Sequence, residues 1–191
     1  MSGRGRRAER GPILIVTEGA TEMGYLNAIR DYERTPNLRR VIDAKGGGGV
    51  IGALSRTTLD AFAQVWVVLD AEAHPHRDLR RVTKWVASQP NPKRFRVVVT
   101  APRFEAWLLA HYEVPEGTGR QVEAKLSVDY NYRKPRLPPG FPLLDWHAAV
   151  ANLAQIPCQV TGISGDREMC AACRPGSAMI HVVQLLWGES G

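Results

Sequence analysis

Val65-Trp66-Val67-Val68-Leu69-Asp70-Ala71-Glu72 decides the fold. The five apolar residues read as a strand, and two carboxylates close it. Asp70 and Glu72 stand two apart, so in an extended segment they point the same way. Upstream, Ile13-Leu14-Ile15-Val16 is a second apolar run, ending in Thr17 and followed by Glu18-Gly19-x-x-Glu22. It reads as a strand buried on both faces. Downstream, Phe95 to Val99 is a further strand, and Glu105 follows it in Pro102-Arg103-Phe104-Glu105-Ala106-Trp107. Leu38 to Ala44 is a weaker one. The stretches between read as helices: Thr21 to Glu33 with Thr21 as N-cap, about Val50 to Ala63, and Leu79 to Ser88 after a polar loop at His74 to Asp78. Strands and helices therefore alternate from Ile13 to about His111, which predicts an α/β fold with a mostly parallel sheet and right-handed crossovers.

In such a sheet, ligands bind beyond the carboxyl ends of the strands. Glu18, Glu22, Asp70, Glu72 and Glu105 all lie at strand ends, so they are expected to converge. Converging carboxylates repel unless a cation joins them, and hard oxygen donors suit Mg²⁺ or Mn²⁺. One ion held by two of these groups, or two ions about 3.5–4 Å apart, both fit the spacing. Acidic residues also cap helix N-termini without any metal, the ordinary reading of a single such cluster. Three clusters at successive strand ends exceed that.

The chain has 191 residues, 44% hydrophobic and 23% charged, with a formal net charge of +6. That suits one globular domain with an extension. Residues 1–10 carry four arginines against one glutamate and are expected to be a disordered basic tail, with a nucleic-acid contact as the alternative. Residues 11–112 form the expected α/β core, and 113–191, rich in Pro, Gly and charge at first, a mainly helical extension packed on it. Segments 143–156 and 176–187 read as helices. A basic chain favours polyanionic partners, so DNA or RNA is the expected one; Arg80, Arg81, Lys84, Lys93, Arg94 and Arg96 suit a phosphate backbone or a solvated helix face. No apolar run reaches membrane length and no signal-peptide core is present, so no membrane partner and a cytoplasmic location are expected. Three cysteines speak against a disulfide framework.

Taken together, Ile15-Val16-Thr17-Glu18-Gly19-x-Thr21-Glu22, then Val65 to Asp70-Ala71-Glu72-Ala73-His74-Pro75, then Pro102-Arg103-Phe104-Glu105-Ala106-Trp107-Leu108-Leu109-Ala110-His111-Tyr112, resemble the RloB-like family. Arg174-Pro175-Gly176-Ser177 resembles that family's closing Asn-Pro-Ser-Thr segment. The resemblance implies a Toprim-like fold, related to the Toprim half of OLD-type nucleases. It implies a metal site in which Asp70 and Glu72 bind Mg²⁺, Glu18 binds metal or shuttles a proton, and Glu22 and Glu105 complete the acidic set. It also implies a setting in bacterial phage defence. A Toprim domain that works only with a partner protein from the same operon is a third reading, since the chain has no ATPase motif. Metal-dependent cleavage of DNA or RNA is the expected activity; a non-catalytic sensor or partner subunit binding a nucleotide or metal is the alternative. The chain departs from the family pattern in three places. Asp-x-Asp has become Asp70-x-Glu72, Asn-Pro has become Ala101-Pro102, and the closing segment begins with Arg174.

Two motifs stand apart. Gly47-x-Gly49-x-x-Gly52, with Asp70 eighteen residues after Gly52, fits a dinucleotide fingerprint. It follows the second strand rather than the first, so a flexible loop near Lys45 is the expected reading. Cys170-x-x-Cys173, with Cys158 and His181 or His147, supplies half of a zinc pattern. Buried reduced thiols are the expected alternative. His74 and His76 flank Pro75 just after Asp70, and either is a candidate ligand or general base.

Overall fold

The computed structural model describes residues 11–33, 38–45, 47–70, 75–156, 176–177 and 179–187. The tail at 1–10 lies outside them. Strands β1 (Ile13–Thr17), β2 (Leu38–Asp43), β3 (Gln64–Asp70) and β4 (Phe95–Ala101) form a parallel sheet. A short β5 (Gly176–Ser177) closes one edge antiparallel to β4, in the order β2-β1-β3-β4-β5. The α/β expectation holds.

Period-2 alternation sorts the apolar runs onto two faces. Ile13, Ile15, Trp66, Val68 and Val98 face one cluster, while Leu14, Val16, Val65, Val67, Leu69 and Val97 face the other. Both faces are covered, so the central strands carry no polar alternation. Helices α2 (Gly47–Ser55) and α3 (Pro75–Ala87) cover the second face through Val50, Leu54, Val82 and Val86. On the first face lie α1 (Ala20–Glu33), α4 (Phe104–Ala110), α5 (Gly119–Asp129), α6 (Trp146–Ala154) and α7 (Met179–Trp187). Every residue of α4 is buried, because β4 lies on one side of it and α5 and α6 on the other.

Several local expectations change. α3 begins at Pro75, not after a polar loop ending at Asp78, because proline at a first helical position lacks only an N–H that would be unpaired anyway. Thr21 is not the N-cap of α1; it lies inside the helix, and its hydroxyl meets Tyr132 Oη at 3.2 Å. The glycines at 47–49 are the first turn of α2 rather than a loop, and α2 stops at Ser55. Gly49 has a steric reason: a Cβ there would lie 1.8 Å from the Ala44 carbonyl oxygen. Gly49→Ala must therefore push α2 away from the end of β2. The expected cost is roughly 1–3 kcal/mol, read as a lower urea midpoint. An unchanged midpoint would show that α2 does not pack against β2 at this point.

Candidate metal centre

The strand order reverses between β1 and β3, which places a topological switch point at their carboxyl ends. Glu18 follows β1 directly and Asp70 ends β3. They are joined across the switch point: the Asp70 backbone N–H donates to Glu18 Oε2 at 2.9 Å. On the other side Asp70 pairs with Thr100 of β4, whose hydroxyl donates to Asp70 Oδ1 at 2.5 Å. Burial, above all, and the charges of Glu22, Glu105 and Glu18 hold Asp70 well above the usual carboxylate range; the Thr100 hydrogen bond opposes them.

Glu22 lies in the first turn of α1. Its carboxylate folds back over Gly19, where a Cβ would stand 3.0 Å from Glu22 Oε2. Glu22 is 4% exposed, and burial raises its pKa to about 7. Its own backbone N–H and Lys134 oppose the shift, and Glu105 and Glu18 add to it. Glu105, in the first turn of α4, is 1% exposed. Its Oε1 accepts the Tyr132 hydroxyl at 2.9 Å and lies 3.0 Å from the Lys134 ammonium. Its Oε2 is buried without a hydrogen-bond partner.

Glu18, Glu22, Asp70 and Glu105 thus lie within electrostatic reach of one another at the carboxyl edge of the sheet. Among the described residues, no group of three or more His, Cys, Asp or Glu side chains closes around a single ion. Glu72, His74 and the side chain of His76 lie outside the described residues, as do Cys158, Cys170, Cys173, Arg174 and Pro175.

Sequence reasoning missed Thr100, Tyr132 and Lys134, and read Thr21 as an N-cap. Tyr132 and Lys134 come from the segment after α5, 27 and 29 positions beyond Glu105, in a stretch that reads only as Pro- and charge-rich. The spacing Tyr132-x-Lys134 was the available signal, since residues two apart in an extended segment point to one side. Thr100→Val tests the β4 contribution. It removes a hydrogen bond to the charged form of Asp70, so it should cost about 1–2 kcal/mol where Asp70 is ionised and less where it is protonated. Urea unfolding of T100V in the parent and in the D70N background reads the difference; an equal cost in both would separate Thr100 from the charge of Asp70.

Another buried polar group on this face is His111, 4% exposed. Its Nδ1 lies 3.0 Å from the Trp107 carbonyl oxygen, which fixes the proton there, and Nε2 is 3.4 Å from the Tyr25 hydroxyl. Burial lowers its pKa to about 4. It is a core histidine, packed edge-on against Tyr25 and Trp107.

A family model described as RloB-like protein matches residues 13–153, most of the chain, including Glu18, Glu22, Asp70 and Glu105. No curated protein and no solved structure matches the chain. No described helix is long and apolar enough to cross a membrane.

Proposed function

The chain belongs to the RloB-like protein family, and from that premise we propose that it hydrolyses phosphodiester bonds of DNA or RNA with Mg²⁺ or Mn²⁺, as part of bacterial phage defence. One observation carries the reading: carboxylates from two strand ends and two helix starts gather at the switch point, and burial and mutual repulsion raise the pKa of Glu22 and Asp70. A protein gains no stability from such an arrangement, so its use lies in what it binds. The donor set fits the proposed ion. All the groups are hard oxygens, and Glu105 Oε2 is a buried acceptor with nothing to accept from.

Asp70, Glu18 and Glu72 would hold the ion, with Glu22 and Glu105 at a second position. A divalent ion bound there acidifies water and neutralises charge building on a phosphate. The chain's own residues do the rest. Thr100 and the hydrogen bond from the Asp70 N–H to Glu18 fix the two central carboxylates. Tyr132 fixes Glu105. Glu22 takes up or gives back a proton near neutrality, so the cluster need not carry four full charges before a ligand arrives.

The test is incubation of the purified chain with single- and double-stranded DNA, a structured RNA and tRNA, with Mn²⁺ and with EDTA. Cleavage of at least one substrate with Mn²⁺ and none with EDTA is the expected result. Metal binding without cleavage of any of them would favour the non-catalytic sensor or partner subunit.

A further inference from the structure

The acidic cluster already holds one positive charge. Glu105 is almost completely buried, yet the Lys134 ammonium that meets its Oε1 is on a side chain 50% exposed to solvent. Lys134 sits in a tight turn in which Arg133 bridges to Arg136 and the Arg136 N–H donates to the Arg133 carbonyl at 2.9 Å. Two residues earlier, Tyr132 anchors that turn to the same carboxylate oxygen and to Thr21 of α1. Lys134 is also within electrostatic reach of Glu22 and Asp70. One flexible ammonium, reaching in from the surface, therefore serves carboxylates contributed by α1, β3 and α4.

We propose that Lys134 is the resident counter-ion of this cluster, and that a divalent cation must displace its ammonium from Glu105 in order to bind at the position that Glu22 and Glu105 supply. This rests on the metal reading above. The geometry favours exchange. Glu105 cannot leave its buried position, whereas Lys134 can turn outward through its exposed half. A dication and an ammonium on neighbouring oxygens of one carboxylate repel each other, while Tyr132 keeps Glu105 in place when the lysine leaves. Lys134 thus acts as a positioning residue that sets metal affinity and keeps the empty cluster together.

The test is calorimetric titration of Mn²⁺ into the parent chain, K134M and K134R. Removing a competing charge at this distance should tighten Mn²⁺ binding by roughly tenfold or more in K134M. K134R keeps the charge and should stay near the parent. Equal or weaker binding by K134M, with the parent binding Mn²⁺, would overturn the displacement and leave the metal reading standing. Absence of binding by the parent and both variants would overturn both. A second readout needs no variant: reductive methylation of the parent chain, resolved by mass spectrometry, should label Lys134 several-fold faster with Mn²⁺ than without it. Unchanged labelling with Mn²⁺ bound would overturn the displacement.

Discussion

Asp70→Asn is expected to lower metal-dependent cleavage by roughly a thousandfold or more while leaving the chain folded and more stable at pH 8. The two effects have one cause. Asp70 joins β1 to β3 and β4: its N–H holds Glu18, and its Oδ1 takes the Thr100 hydroxyl. Asparagine keeps the backbone donor, the volume and an acceptor oxygen, so the strand ends stay in place. It lacks the charge that the proposed ion needs. It also removes a carboxylate held well above its usual range by burial and by Glu22, Glu105 and Glu18. Cleavage rate and urea midpoint, measured on the same preparation, should therefore move in opposite directions. Cleavage at the parent's rate would remove Asp70 from the chemistry.

The second large effect is on pH dependence, where two buried groups pull oppositely. Glu22 titrates near 7 when folded, against an ordinary carboxylate value of 4.5. Between these values the folded chain holds a proton that the unfolded chain has lost, so Glu22 lowers stability as pH rises from about 4.5 through 7. His111 titrates near 4 when folded, against 6.5. Between those values the unfolded chain binds the proton, so His111 lowers stability as pH falls from about 6.5 towards 4. Each effect amounts to roughly 3 kcal/mol. Relative to the parent, Glu22→Gln should gain stability progressively from pH 4.5 to pH 8, and His111→Phe should gain it progressively from pH 6.5 to pH 4. Urea unfolding at several pH values reads both difference curves. A flat curve for either variant would contradict the burial assigned to that group.

Much of this was legible in the sequence, for physical reasons. β1, β3 and β4 are apolar runs bounded by turn residues, and their acids stand directly at the ends, so strand reading alone brought Glu18, Glu22, Asp70 and Glu105 together. What could not be read depends on contacts far apart in the chain. Thr21 meets Tyr132 across 111 positions, and Tyr132 and Lys134 reach Glu105 from beyond α5. β5 is two residues long and pairs only because β4 offers an edge. α5 was missed for another reason. Its apolar stripe is thin, with Val122 and Leu126 the buried apolar side chains, but its start carried a readable signal, Thr118-x-x-Gln121, in which the Gln121 side chain accepts the Thr118 N–H at 2.7 Å. α2 was misplaced because glycine weighs against a helix in propensity, whereas here the close approach of Gly49 to Ala44 decides.

In the proposed function, the carboxylates at the switch point hold a divalent cation. The most direct test is a calorimetric titration of Mn²⁺ and Mg²⁺ into the parent chain and into the D70N/E72Q double variant at pH 8, with and without an oligonucleotide. Saturable binding by the parent that disappears in the double variant is the predicted result. No binding by the parent in either condition, or equal binding by both proteins, would contradict it.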